Sequence, residues 1–371
     1  MKTKVTYIIS DINKALAFEW IAAYIDKDRI DLSFILLNPG DSATEQVLRG
    51  MKLPVLWVIC RGKKDWPNAW LTIYKQLKKG KPHVVHCHLQ QACILGLSAA
   101  KVAGIPHRIH TRHHSSLHHV YMPKGIFWDK LINRLSTKIV AISGQVKKIL
   151  VEWEKVPEQK VVYIPHGFLL ESFSKPDPKI VATLRTKYVP SSTGPVIGVI
   201  SRFTEWKGIQ YIIPAFATVL EQYPNALLLL FNANGDYAAQ INGLLQELPA
   251  SSYKTISFEK DIAAAYHLMD VFVHTPIDDH SEAFGQIYIE SMAAGVPMVA
   301  TLSGIANDIL VHKQNAWVAN YKDTASIATG ITTILSDIDL KQSLINNERI
   351  TADLFSLQHM INSLTELYES N

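Results

Sequence analysis

Short runs rich in β-branched and aliphatic residues alternate with helix-length segments along almost the whole chain. This alternation leaves few folds other than parallel sheets covered by helices. In the first half the strand-like runs fall at 5–10, 34–38, 55–59, 83–87, 107–111, 138–142 and 161–164. In the second half they fall at 196–200, 226–231, 255–258, 271–274, 297–300 and 316–318. Apolar residues at helical spacing fill the gaps, as at 68–79, 91–103, 144–153, 208–222 and 286–294. A chain of 371 residues with this pattern in both halves is expected to form two α/β units, each with its own core. Residues 174–178 (SKPDP) hold two prolines and no aliphatic or aromatic residue, so they read as the linker. The first unit is therefore expected over 1–173 and the second from 179.

With 48% hydrophobic and 19% charged residues the chain is an ordinary folding sequence, which excludes extended disorder. The apolar run at 226–231 is far too short to cross a bilayer, and residues 1–10 lack the three-part pattern of a signal peptide. A soluble cytoplasmic protein is expected. Cys60, Cys87 and Cys93 show no metal-ligand spacing and read as reduced thiols. Charge is unevenly spread. Residues 1–180 carry 27 Lys and Arg against 14 Asp and Glu, whereas 181–371 carry 10 against 19. The first half should thus meet an anionic partner, a nucleic acid or an acidic membrane surface.

Ligands of open parallel sheets sit at the carboxyl ends of strands, so chemistry is sought there. No GxGxxG follows 5–10 or 196–200 and no GxxxxGK[ST] occurs, which argues against dinucleotide dehydrogenases and phosphate-loop ATPases. Instead, the strand at 196–200 runs into Ser201-Arg202-Phe203-Thr204-Glu205-Trp206-Lys207-Gly208 and then a helix. Two cations beside a helix amino terminus suit a diphosphate, although a solvated loop presents the same residues. After the strand at 271–274, Glu282 and Glu290 are separated by seven residues, the first in a glycine-containing turn and the second inside a helix. Carboxylates so placed can accept from sugar and ribose hydroxyls, and the N–H groups of the turn can donate to an anion.

The stretch from Glu282 to Pro297 (EAFGQIYIESMAAGVP) resembles the Glu, seven residues, Glu signature of the family 4 retaining glycosyltransferases, and SRFTEWKGIQYIIPAF resembles the same family's GRLxxxKGxxxLIxAF. YHLMDVFV at 266–273, VAIS at 140–143, IPHGF at 164–168 and LFSL at 354–357 are similar to further elements of that family, in the expected order. The resemblance spans roughly 82–371. It implies the GT-B arrangement of two Rossmann-like domains with a cleft between them. The second domain then covers 179–354, and a final helix at about 355–371 crosses back to complete the first. It also implies a donor nucleotide sugar in the second domain, an acceptor in the first, and no metal or other cofactor.

By the same resemblance Arg202 and Lys207 take the diphosphate, helped by backbone N–H groups near Phe284, Gly285 and Gln286. Glu290 takes the ribose, and Glu282 takes the donor sugar and faces the reacting centre. A UDP-sugar is the favoured donor. TRH at 111–113 resembles the family's T-x-H, whose histidine lies by the donor sugar, so His113 is carried over as a catalytic residue with His114 as the register alternative.

His107, His110, His113, His114, His118 and His119 fall within thirteen residues. No carboxylate or thiolate lies among them, so no metal site is expected, and the histidines other than His113 and His114 read as loop and surface positions. Arg112 is open to two readings, an anion ligand or a surface residue. Three departures from the family pattern concern the donor side. The glycine-rich first loop is replaced by Ser10-Asp11-Ile12-Asn13-Lys14-Ala15-Leu16, His166 stands where Asn is usual, and Asp308 stands where Glu is often found.

Residues 61–81 interleave seven basic residues with Trp66, Trp70 and Tyr74, and 121–138 sets Tyr121, Phe127 and Trp128 among Lys124, Lys130, Arg134 and Lys138. Such composition suits the interface of an anionic membrane, so peripheral binding to its inner face is expected, with packing of Trp70, Tyr74 and Phe127 into the core as the other reading. The charge comes with no nucleic-acid motif, so a nucleic-acid partner is not expected. The function expected is transfer of a sugar from a nucleoside diphosphate to a lipid-linked or lipopolysaccharide-type glycan. Its rivals are a nucleotide-sugar epimerase on the same fold and a non-catalytic nucleotide-sugar-binding homologue.

Overall fold

The computed structural model describes residues 2–370. Contacts divide the chain into two units, one formed by residues up to Phe168 together with those from Leu357, the other by Leu169–Ser356.

In the first unit seven strands form one parallel sheet: β1 (Thr3–Ser10), β2 (Ile30–Asn38), β3 (Val55–Ile59), β4 (Val84–His88), β5 (His107–Arg112), β6 (Lys138–Ala141) and β7 (Val161–Tyr163). Their order is β3-β2-β1-β4-β5-β6-β7, so the direction of winding reverses between β1 and β4. At this point Val5 to Ile9 of β1 lie in register with Val84 to His88 of β4. A helix on each face buries the central strands on both sides, which is why β1 ends in the apolar run Tyr7–Ile9 and β4 is buried throughout, its two histidines included. Helices Trp66–Gly80 and Gln90–Ala103 turn Ile73, Leu77, Leu97 and Ala100 onto Ile8, Ile35 and Val85. Helix Leu357–Glu369 closes this unit: Leu357 N–H donates to Phe168 O at 2.9 Å, and Tyr368 is buried beside β1 and β4.

The second unit carries a six-stranded parallel sheet of β8 (Val196–Ile200), β9 (Leu227–Phe231), β10 (Tyr253–Ile256), β11 (Val271–His274), β12 (Met298–Ala300) and β13 (Trp317–Val318), in the order β10-β9-β8-β11-β12-β13. Here winding reverses between β8 and β11. Val199, Leu228, Leu230 and Val273 pack against Ile212, Phe216 and Ile331 from the covering helices. The two-fold repetition of a doubly wound parallel sheet makes each unit Rossmann-like. In each, the reversal opens a crevice at the strand carboxyl ends, where such sheets bind ligands.

Candidate active site

In the second unit β8 delivers Arg202 to the reversal point, and a single turn of 3-10 helix, Glu205–Lys207, delivers Lys207. Helix Ile209–Gln222 follows directly, and its approach to β11 depends on Gly208. That residue has φ of +73°, and a Cβ there would lie 1.8 Å from the Thr275 carbonyl oxygen. Only glycine both adopts this left-handed conformation cheaply and leaves room for the strand end. Arg202 is exposed, and its guanidinium has no ion-pair or hydrogen-bond partner among the described residues. Lys207 is placed differently: its ammonium donates to Glu282 Oε1.

Glu282 reaches that position from the loop after β11. Its backbone N–H donates to Ser303 Oγ at 3.1 Å, and the turn at Gly304, with φ of +61°, lies so close that a Cβ would fall 2.8 Å from Glu282 Cβ and 2.6 Å from the Phe284 carbonyl oxygen. The buried imidazole of His274, the last residue of β11, lies with Nε2 3.0 Å from the same Glu282 Oε1. Burial alone would raise the Glu282 pKa, but the ammonium of Lys207 and the His274 hydrogen bond outweigh it and hold the carboxyl well below its usual range. Glu282 is therefore a fixed carboxylate at neutral pH.

Helix Gln286–Ala294 starts beside it from Gly285 with no side-chain cap, so first-turn N–H groups stay available to an anion. Phe284 is buried, its ring edge-on to Phe355 with centroids 6.2 Å apart, and its carbonyl oxygen accepts from Ile305 N–H at 2.8 Å. Gln286 is exposed. Glu290, one turn into the helix, accepts from the Tyr266 hydroxyl at 2.9 Å, and burial raises its pKa to about 7 despite that bond. Arg202, Lys207, Glu282, Phe284, Gly285 and Gln286 thus gather at one end of one sheet, with Glu290 on the adjoining helix. The resulting site offers cations and N–H groups for phosphate oxygens and carboxylates for hydroxyls. His274 was not singled out from the sequence, because its partnership with Glu282 passes through a loop whose path only the tertiary structure sets.

In the first unit His113, the histidine expected by the donor sugar, is partly buried. Its Nε2 lies 3.1 Å from Nδ1 of His88, and its ring stacks on His166 with centroids 5.7 Å apart. Burial, reinforced by His166, lowers its pKa to about 3, so it is a neutral imidazole. Behind it lies a second histidine chain: His86 bridges the Tyr368 hydroxyl at 2.7 Å and Thr111 Oγ1 at 2.8 Å. The glycine-poor loop after β1 turns through Asp11, at φ of +55°, and is pinned by the Asn38 side chain, which accepts from Ile12 N–H at 3.0 Å and donates to Ile12 O at 2.8 Å.

Two readings of the neighbouring residues are corrected. Arg112 is neither a surface residue nor an available anion ligand: it is 3% exposed, and its guanidinium is taken by Asp129, at 3.1 Å, and by Glu154. The histidines around it are not all at the surface, since His110 and His118 are buried. Carboxylates absent from the local sequence are brought in by the fold, with His118 Nδ1 2.6 Å from Asp129 Oδ2 and His119 Nε2 3.2 Å from Glu154 Oε1. His114, His118 and Asp129 have metal-ligand chemistry and lie close together, yet Arg112 already sets a positive charge on the same Asp129 oxygen that meets His118. In the second unit Asp278, Asp279 and His280 form a similar group, in which Asp278 Oδ1 accepts from His280 N–H at 3.0 Å and Ser281 Oγ at 2.7 Å.

The aromatic residues of the two basic segments part company. Trp70 and Tyr74 stack on each other at 5.5 Å and pack on the core, with Trp70 Nε1 donating to Ser98 Oγ at 3.0 Å, whereas Phe127 is 67% exposed beside exposed Tyr121 and Met122. The three cysteines are buried and free. No helix among the described residues is long and apolar enough to cross a membrane.

Comparison with known proteins places the chain among sugar-transferring enzymes. Residues 181–351 match the family described as glycosyl transferases group 1, and residues 21–171 match Glycosyltransferase Family 4. The chain is 26% identical over 305 residues to the capsular polysaccharide biosynthesis glycosyltransferase CapM of Staphylococcus aureus, covering 79% of this chain and 78% of that protein. It is 23% identical over 375 residues to UDP-Gal:alpha-D-GlcNAc-diphosphoundecaprenol alpha-1,3-galactosyltransferase of Escherichia coli, covering 93% and 90%. The solved structure of Anabaena Alr3699/HepE in complex with UDP and glucose superposes with a TM-score of 0.84 at 20% identity, covering 100% of both chains.

Proposed function

Because the chain belongs to the family 4 glycosyltransferases, whose two family matches span most of both units, we propose that it moves a sugar, with retention of anomeric configuration, from a nucleoside diphosphate sugar to a lipid-linked or lipopolysaccharide-type glycan. The observation that carries this reading is the meeting of Lys207 and Glu282, with Arg202 and the uncapped helix start at 286, at the carboxyl ends of β8 and β11. Arg202, Lys207 and the N–H groups at 284–286 hold the diphosphate, Glu290 the ribose, and Glu282 the hydroxyls of the donor sugar. As the glycosidic bond breaks, negative charge builds on the leaving diphosphate, and cations already in place stabilise it without reorganising. A UDP-sugar is favoured as donor, in keeping with the UDP bound in the Anabaena structure. Retention, and the placing of neutral His113 by the donor sugar, rest on the sequence resemblance.

For the acceptor we favour a glycan on a lipid carrier, as named for the Escherichia coli relative, taken by the basic first unit. The protein then works as a cytoplasmic enzyme bound peripherally to the inner face of the membrane. The contact is made by Tyr121, Met122 and Phe127 with Lys124 and Lys130, since these side chains lie within ten residues of chain and each is exposed. A panel of UDP-, GDP- and ADP-sugars tests the donor. The cognate one should raise the melting temperature, by roughly 3 kcal/mol of stabilisation at 100 times its dissociation constant, and should be consumed when membrane extract is added. NMR of the product's anomeric proton then reads retention or inversion. Binding without turnover on any extract would leave a non-catalytic nucleotide-sugar binder, and conversion of the donor to an epimerised nucleotide sugar without an acceptor would indicate the epimerase.

A further inference from the structure

His274 is 1% exposed at the end of β11, its ring set edge-on against Tyr288 with centroids 5.1 Å apart, and its carbonyl oxygen accepts from Thr301 N–H at 3.2 Å. A carboxylate only accepts, so at 3.0 Å from Glu282 Oε1 it is Nε2 of this imidazole that carries the proton and donates. Burial, the larger influence, lowers the His274 pKa, so it acts as a neutral donor. Lys207 donates to the same oxygen, while Oε2 of Glu282 accepts no hydrogen bond among the described residues. The groups facing this carboxylate are therefore Lys207 and His274, with Tyr288 packed behind.

The two donors differ in what they can do. Lys207 is a point charge on a flexible stem, and on the proposed function it also serves the diphosphate. His274 is locked by packing and cannot follow a ligand. We infer that His274 is a positioning residue: its Nε2–H keeps Glu282 Oε1 occupied and Oε2 turned toward the donor sugar while the Lys207 ammonium is shared with the diphosphate. This rests on the function proposed above, because it presumes that both Lys207 and Glu282 meet the donor.

The test compares His274→Leu, which removes the donor, with His274→Gln, whose amide can restore it, each checked for folding by thermal melting. His274→Leu should lower kcat about 10-fold to 100-fold with the donor KM within about threefold, as loss of orientation does. It should also move the acid limb of the pH–rate profile to higher pH, because a carboxylate that loses a donor protonates more readily. His274→Gln should recover most of kcat and the original profile. Unchanged kcat and pH profile in His274→Leu would overturn the inference, as would a Gln variant as impaired as the Leu variant, which would assign the residue to packing. A second readout needs no turnover: carbon-13 NMR titration of the Glu282 carboxyl, assigned with Glu282→Gln, should show it protonating at higher pH in His274→Leu than in the wild type and the Gln variant. If no nucleotide sugar is turned over, the proposed function fails while this titration still decides whether His274 holds Glu282. Identical titrations in the wild type and the Leu variant would sink the inference.

Discussion

Lys207 and Glu282, 75 residues apart in the chain, share one ion pair at the reversal point of the second sheet. Each is therefore part of the other's environment, and their effects on catalysis should not add. Lys207→Ala or Glu282→Ala alone should lower kcat/KM by about 100-fold to 1,000-fold, or roughly 3 to 4 kcal/mol of transition-state stabilisation. The double variant should fall short of the sum by about 1 to 3 kcal/mol. Arg202 supplies the contrast. Being exposed and unpartnered, it should tolerate Arg202→Ala within about 0.5 kcal/mol of stability while kcat/KM drops. Additive losses at Lys207 and Glu282 would mean that the pair does not act as a unit.

The Glu290 carboxyl is raised to about 7 by burial, so the ribose contact proposed for it should make nucleotide binding depend on pH. A ribose hydroxyl donates best to the ionised form, so UDP should bind more weakly as pH falls through 7. If only the carboxylate binds, affinity should drop about tenfold between pH 8 and pH 6, with proton release on binding near pH 7. For folding the sign is opposite. An acid whose pKa is raised in the folded state contributes stability at low pH, and that contribution is lost as pH rises from the unfolded value of 4.5 through about 7. Isothermal titration with UDP at three pH values checks the affinity and urea unfolding at the same pH values checks the stability, each with Glu290→Gln as control; a pH-independent wild-type affinity would remove Glu290 from the ribose.

In the first unit Arg112 holds two buried carboxylates, Asp129 and Glu154. The Asp129 carboxyl sits at a pKa of about 2: its burial works against ionisation, but hydrogen bonding to His114 and the charge of Arg112 prevail. Replacing Arg112 with Leu strips the positive partner from a desolvated pair of acids. The expected cost is about 3 to 5 kcal/mol, more than any surface change in this unit should produce. A urea unfolding midpoint unchanged by Arg112→Leu would show that the histidines alone compensate these carboxylates.

The architecture was legible because the strands that build it are buried on both faces, and a run such as Leu227–Phe231 has no other home than the middle of a parallel sheet. Boundaries were less legible at the sheet edge. The strand read at 255–258 lies at Tyr253–Ile256, since Phe258 is 77% exposed and leaves the sheet despite its apolar side chain. The helix read at 144–153 is α-helical only to Lys148 and then widens into a π-helical turn. In the site, Arg202, Lys207, Glu282 and Glu290 stand in local motifs that a strand end and a helix start impose. The His274 bond to Glu282 and the salt bridges from Arg112 to Asp129 and Glu154 had no such trace. They join residues across loops and separate elements, so no spacing rule encodes them.

The exposed apolar group at 120–127 separates two kinds of membrane attraction. Val120, Tyr121, Met122 and Phe127 are 47%, 46%, 57% and 67% exposed, with exposed Lys124 and Lys130 around them. Lys75, Lys78 and Lys79 are exposed too, but the aromatic residues of their helix pack inward. Lysines near an anionic surface contribute about 1 kcal/mol each, and salt screens this over a Debye length of about 8 Å at physiological ionic strength. Apolar insertion is not screened, and a buried Phe or Met side chain contributes roughly 1.5 to 3 kcal/mol. Wild-type protein should therefore co-sediment with phosphatidylglycerol vesicles strongly at low salt and weakly at high salt. Changing Lys75, Lys78 and Lys79 to Glu should reduce only the low-salt binding. Met122→Glu with Phe127→Glu should abolish what persists at high salt. If the acidic vesicles bring down no wild-type protein at either salt, the basic charge of this unit serves a soluble anionic acceptor instead.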